Sequence, residues 1–415
     1  MFMTIAFATT LPLLSACAQN HQLGHAERSL QDEPTARELQ ATGETLRVPF
    51  HALSNQVRLE ATIEGQGPFH LILDTGMPVP GIILFGSERV DALHLADSGA
   101  RVGLAGGGSE RGSTEAIVTK GARLGLGELN LSQVPAMIMP LPPGFSLGGD
   151  GIIGGELFFH YVVRIDMDHE RLELSQPKLW TPPADACSVP LVNLGGKLFV
   201  DVRVAIGEQE PIPASVVVDL GASHSLSLNS RVDGRWAPPV GAIDAPLGRG
   251  ISGLVLGKAG RARRVELGPF AFENIVTSFP VSEHQKPGGF DFRDGNLGAE
   301  ILRRFNVTFD YAGSRMVLEK SKHFCEPFER EMLGVSYALG KECVLTILTV
   351  LPGSPAAAAG IAVGDCVLAI DGQKIDALGE NGVRKALMND GAQIRLALRR
   401  GTETFEKTLR LRRLV

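Results

Sequence analysis

The chain repeats itself, and this limits what it can fold into more than any other feature. An apolar run enters a short acidic motif twice: Phe69-His70-Leu71-Ile72-Leu73-Asp74-Thr75-Gly76, and Ser215-Val216-Val217-Val218-Asp219-Leu220-Gly221-Ala222-Ser223. Asp219 follows Asp74 by 145 residues. Gly151-Ile152-Ile153-Gly154-Gly155-Glu156-Leu157 is answered 144 residues later by Gly295-Asn296-Leu297-Gly298-Ala299-Glu300-Ile301. Asp166 and Arg171 recur at the same spacing as Asp310 and Arg315, while Leu126-Gly127 recurs as Leu267-Gly268 at 141. One offset held over separate motifs marks a duplicated unit with small insertions.

Each motif delivers a carboxylate at the end of an apolar strand, with a glycine that permits a tight turn and close approach of a partner. One copy alone describes an ordinary strand-ending turn. Two copies in a duplicated chain can be brought face to face by a pseudo-two-fold axis. Two adjacent carboxylates cannot both ionise cheaply, so they share a proton, one serving as base and the other as acid. Such a pair can activate water against a peptide carbonyl.

With these residues the chain resembles the retropepsin-like aspartic proteases of bacteria, over roughly residues 45–320. The resemblance implies a mainly β fold: a two-lobe pepsin/retropepsin-like barrel with lobes at 45–180 and 181–325. It assigns catalysis to Asp74 and Asp219, supported by Thr75, Gly76, Leu220 and Gly221, with Gly154 and Gly298 behind the catalytic loops. Two positions depart from the family pattern. Leu220 has no hydroxyl where Thr or Ser is usual, and Met77 stands in place of a small residue. Two Gly-rich flaps are expected, near Gly103–Gly112 and Gly248–Gly260. Since both lobes lie in one chain, a monomer is expected to be competent.

From about Phe328 to Val415 the pattern changes. Leu351-Pro352-Gly353-Ser354-Pro355 and the following Ala-rich run, with Gly364-Asp365-Cys366 beyond it, resemble the PDZ signature. That resemblance makes Leu333, Gly334 and Val335 the loop that binds a terminal carboxylate, and Gly382–Met388 the groove helix. A C-terminal peptide is the implied ligand, added as a strand to an open sheet edge. The alternative is a PDZ unit that only packs on the core as a spacer or gate.

Residues 1–17 form an apolar stretch ending in Leu14-Ser15-Ala16-Cys17, before a polar linker at 18–44. This reads as an export signal. Its ending resembles the bacterial lipobox, which would make Cys17 a lipidated first residue in the periplasm, and Ala18 then points to an outer membrane. The alternative is a secretory signal without lipid. No Lys or Arg precedes the apolar segment, which points to a start further upstream. Beyond Cys17, four cysteines remain, and sequence position favours Cys187 with Cys325 and Cys343 with Cys366, free thiols being the alternative.

A net charge of −6 from 40 basic and 46 acidic residues offers no broad positive field, which argues against nucleic acid as a partner. No apolar run reaches the roughly 20 residues of a membrane span, so membrane attachment is expected through lipid only. No cysteine–histidine cluster offers a metal site, and no cofactor is expected. Gly149-Asp150-Gly151-Ile152-Ile153-Gly154 fits the dinucleotide fingerprint without the βαβ unit that gives it meaning. His224 is read as a loop histidine. Arg261, Arg263 and Arg264, and Arg410, Arg412 and Arg413, are read as solvated faces. The expected activity is endopeptidase cleavage of exported proteins or peptides. A non-catalytic peptide-binding adaptor using the same cleft is the alternative.

Overall fold

The computed structural model describes residues 45–104, 106, 113–142, 147–229, 234–281, 294–339 and 345–415. The export-signal segment with Cys17, the thiol of Cys343 and most of the Gly103–Gly112 tip lie outside these residues. The fold is mainly β. Strand Gln56–Ile63 alternates buried and exposed positions from Leu59 onward, as a half-covered strand should, whereas Val216, Val217 and Val218 are buried in succession because neighbours cover both faces of their strand.

The two acidic motifs end strands with matching neighbours. Strand Gln66–Leu73 pairs antiparallel with Gln56–Ile63 and parallel with Gly151–Ile153. Strand Ile212–Asp219 pairs antiparallel with Lys197–Ala205 and parallel with Gly295–Gly298. Each short backing strand runs into a single helical turn, Gly155–Phe158 or Ala299–Leu302. The following strands, Val162–Asp166 and Phe305–Asp310, pair with each other, so one sheet crosses from the first half of the chain to the second. At its hairpin bends Arg171 meets Asp166 at 3.2 Å and Arg315 meets Asp310 at 2.8 Å, which gives the repeated Asp–Arg pairs a structural use.

Two long hairpins stand over the acidic loops, Asp97–Leu104 with Thr114–Thr119 and Ile243–Gly250 with Gly253–Leu267. They meet at their tips: Ser252 N donates to Gly106 O at 2.9 Å, and Gly106 N to Ser252 Oγ at 3.3 Å. Ile251 at the second tip packs against an apolar cluster of the first half that includes Met77, Ile83, Phe85, Met137 and Ile152. Met77 therefore turns into the core under the hairpins.

The carboxy-terminal unit is a six-stranded sheet with Val335–Leu339 at one edge, closed by helix Ile375–Leu387. The helix kinks at Gly379, whose φ of 62° suits a residue without Cβ. Its Val383 and Leu387 pack on Leu345, Ile347, Leu396 and Leu398. Its polar side chains reach both halves of the preceding chain instead. Glu380 forms a two-point ion pair with Arg58, at 2.9 and 3.0 Å. Asn381 Nδ2 donates to Ala52 O and its Oδ1 accepts from Ser54 N, while Arg384 pairs with Glu300 at 3.1 Å.

Two expectations need correction. Arg261 is no solvated side chain: it bonds the carbonyls of Asn274, Phe328 and Val415 and pairs with Glu329 at 2.9 Å, and Arg413 shares that carboxylate at 2.6 Å. Cys187 and Cys325 are free thiols. Cys187 lies on a strand paired with Arg315–Leu318 and faces the Gly268 turn, whereas Cys325 is exposed beyond the aromatic cluster of Phe324, Phe305 and Phe272. Cys366 is disulfide-bonded, and its expected partner Cys343 is outside the described residues.

Candidate active site

The two acidic loops meet, so that Asp74 and Asp219 become neighbours although far apart in sequence. A Cβ placed on Gly221 would lie 2.5 Å from Asp74 Cγ, and one on Gly76 would lie 3.2 Å from Asp219 Cγ. Glycine at these two positions is thus what lets each backbone approach the opposite carboxylate. Gly76 N donates to Asp74 Oδ1 at 2.6 Å, and Ala222 N donates to Asp219 Oδ1 at 3.0 Å. Burial, and then the charge of Asp219, hold the Asp74 carboxyl well above the usual carboxylate range, against the Gly76 and Gly221 N–H groups.

Thr75 braces the meeting point. Its Oγ1 donates to Val218 O at 2.8 Å and accepts from Leu220 N at 3.0 Å, tying the first loop to the second. Leu220 returns no such bond; its side chain is buried and lines an apolar cavity with Val57, Ile165, Leu302 and Phe305. Behind the loops, a Cβ on Gly154 would sit 2.2 Å from Asp74 O and one on Gly298 2.1 Å from His224 O. Both glycines are therefore packing requirements of the loops they support.

Several residues at the site escaped the sequence reading. Asn296, in the backing strand, donates from Nδ2 to Asp219 Oδ2 at 2.5 Å. Its counterpart in the repeat is Ile152, which is apolar and buried in the cluster under the hairpins. Lys197 is half-buried just after the Gly195-Gly196 turn, with Gly196 against Pro78. Burial pulls its ammonium below the usual lysine range, opposed by attraction to Asp219 and Asp74. Tyr311, stacked on Phe158 at 5.3 Å, has its phenol pushed up by burial and by the charge of Asp74. The turn at Asn55-Gln56 reaches the second loop: Asn55 donates to Ser223 O at 2.8 Å, and Gln56 donates to Gly221 O. Asn55 also bonds Glu300, the carboxylate that Arg384 of the carboxy-terminal helix grips.

Two carboxylates that are not at the site hold its frame. Asp150 Oδ2 accepts from His70 N and Asp150 N donates to His70 O, both at 2.8 Å. Asp294 does the same with Ser215, at 2.8 and 3.0 Å. The Gly-rich run at 149–154 is therefore a strand start: a Cβ on Gly151 would lie 2.3 Å from Ile83 O, which leaves no cradle for a phosphate.

At the carboxy-terminal unit, Leu333 O accepts from Ala356 N at 3.0 Å and Gly334 O from Leu351 N at 2.8 Å. Gly334 has a φ of 79°, and its Cβ would strike Ser354 Cβ at 2.2 Å. Val335 pairs with Val350 where the edge strand begins.

Comparison with known proteins gives one family match: the model of the PDZ domain fits residues 346–400. That part of the chain is a PDZ domain. No curated protein matches the chain. Among solved structures, the aspartic proteinase from Irpex lacteus is similar over 68% of this chain and 99% of that one, with 14% identity and a TM-score of 0.47. A likeness that loose carries no argument about this chain's chemistry.

Proposed function

We propose that this protein is an aspartic endopeptidase of the retropepsin-like kind, with pseudo-symmetric lobes at 45–180 and 181–325 and a PDZ unit at 328–415. The observation that carries this reading is the meeting of Asp74 and Asp219 at one buried spot, with glycines where any side chain would collide. In the proposed reaction, water held between the two carboxyl groups loses a proton to the ionised one as its oxygen bonds to the peptide carbonyl carbon. The protonated carboxyl gives its proton to the carbonyl oxygen, forming a neutral tetrahedral diol. Collapse of the diol breaks the C–N bond, and a proton passes to the leaving nitrogen. This chemistry needs no metal or organic cofactor, and one chain holds both carboxylates, so the active form is a monomer.

The hairpins whose tips meet at Gly106 and Ser252 support a cleft that must open for a peptide and then exclude water. PDZ domains bind peptides, which supports a protein or peptide partner for the edge strand Val335–Leu339. The lipobox-like Leu14-Ser15-Ala16-Cys17 supports a lipid-anchored periplasmic location, in an outer membrane where the host has one.

A second reading, a peptide-binding adaptor without catalysis, is favoured by Leu220, which leaves one side of the loop brace unmade. A peptide-library digest separates the two. The protease reading predicts cleavage by the wild type and none by Asp74→Asn or Asp219→Asn. Peptide binding without cleavage in all three proteins would establish the adaptor.

A further inference from the structure

Asp219 receives something that Asp74 is not given. Both carboxylates accept backbone N–H groups from the glycine-rich loops. Asp219 also accepts a side-chain amide, Asn296 Nδ2 to Oδ2 at 2.5 Å. Asn296 sits where the backing strand pairs with Val217 on one side and Ser227 on the other, which aims it across the end of the Asp219 strand. The corresponding residue behind Asp74 is Ile152, which has no hydrogen to donate.

The other end of the amide has a buried neighbour. His224, five residues beyond Asp219, lies beside Asn296. His224 Nε2 and Asn296 Oδ1 are both buried and neither has a hydrogen-bond partner. They are a matching donor and acceptor: an imidazole N–H toward Oδ1 leaves the NH₂ end of the amide for Asp219. A neutral ring suffices for this, and burial holds the ring below the usual histidine range, against the opposing charge of Asp219.

We propose that Asn296 is a positioning residue that places the negative charge of the pair on Asp219 and leaves the shared proton on Asp74, with His224 holding the amide in that orientation. A hydrogen bond from a neutral amide stabilises a carboxylate more than a carboxylic acid, so an amide on one member of a near-symmetric pair breaks the tie. Few other titratable groups face the pair. They are Lys197 from the neighbouring strand, His224 from the turn, and Tyr311 on the Asp74 side. Asp219 then acts as the base toward water and Asp74 as the acid toward the carbonyl oxygen. The assignment rests on the endopeptidase reading and deepens it.

The test is the pH dependence of kcat/KM for wild type, Asn296→Leu and Asn296→Ser in the full chain, with thermal melts to confirm folding. A lost hydrogen bond to a charged group should move the acid limb of the Asn296→Leu profile up by about one pH unit, while the alkaline limb stays. Asn296→Ser, which keeps a short donor, should fall between, and it serves alone if Asn296→Leu does not fold. His224→Phe should move the same limb in the same direction by less. An active wild type whose acid limb is unmoved by either Asn296 change overturns this assignment and leaves the protease reading standing. A wild type that cleaves nothing removes both.

Discussion

At the first acidic loop a hydroxyl does the bracing: Thr75 reaches across to the backbone of Val218 and Leu220. At the second, Leu220 is buried beside an apolar cavity, and the polar support comes from behind, through Asn296 and the Asn55-Gln56 turn. The loops carry the same motif, yet one is held by a cross-tie and the other by packing plus a side-chain amide. A duplicated site thus needs matching carboxylates and matching glycines, while the bonds that fix them can be redistributed.

The comparison is broken most severely at the carboxylates. Asp74→Asn and Asp219→Asn should each lower peptide cleavage by roughly 10³-fold or more, since each removes one partner of a proton exchange; a variant that keeps most of its rate would show that only one carboxyl is used. Next is Thr75→Val, which strands a buried carbonyl and a buried N–H and should cost about 2–4 kcal/mol of stability in denaturant melts. The reverse change, Leu220→Thr, should cost about 1–2 kcal/mol by removing buried apolar volume beside an existing cavity, and should not raise activity. An increase in both stability and rate would mean that the second loop lacks a hydroxyl rather than using the leucine.

A second contrast separates the two units of the fold. Glu380→Ala leaves Arg58, which is only 7% exposed, without its ion-pair partner, and should cost roughly 2 kcal/mol while shifting cleavage little. A large loss of rate at unchanged stability would instead mean that the PDZ helix governs the site. The smallest effect concerns the buried Asp365, whose carboxyl is held below the usual carboxylate range chiefly by hydrogen bonds from Arg400. A lowered carboxyl contributes stability above its unfolded-state value and loses it as pH falls through the folded one. Arg400→Gln should therefore lower the melting temperature at neutral pH by a few degrees and hardly at all in strong acid. An equal drop at both would assign the effect to packing.

The frame of the site was legible in the sequence because repetition exposes it. Asp74, Asp219 and their glycines stand out as matched motifs, and the repeated Asp166–Arg171 and Asp310–Arg315 pairs proved to be hairpin bends. Asp150 and Asp294 share the same offset, yet Asp150 was read only within a nucleotide decoy and Asp294 fell just outside the quoted motif. What the sequence hid lies where the copies differ. Asn296 reads as a flawed copy of Ile152 until its amide is seen on Asp219. Lys197 belongs to no motif and reaches the pair only because a turn folds back over Pro78. The free state of Cys187 and Cys325 was one of two readings the sequence left open, since an even count does not say which way a strand turns its thiol.

The account depends on Asp74 and Asp219 titrating as partners, and carbon-13 NMR of labelled aspartate side chains measures this without reference to any substrate. Asp74 should hold its proton well above the ordinary carboxylate range in the wild type, and should fall part of the way back in Asp219→Asn, where burial remains and the neighbouring charge is gone. An Asp74 that titrates like an exposed carboxylate and is indifferent to Asp219→Asn would contradict the shared site.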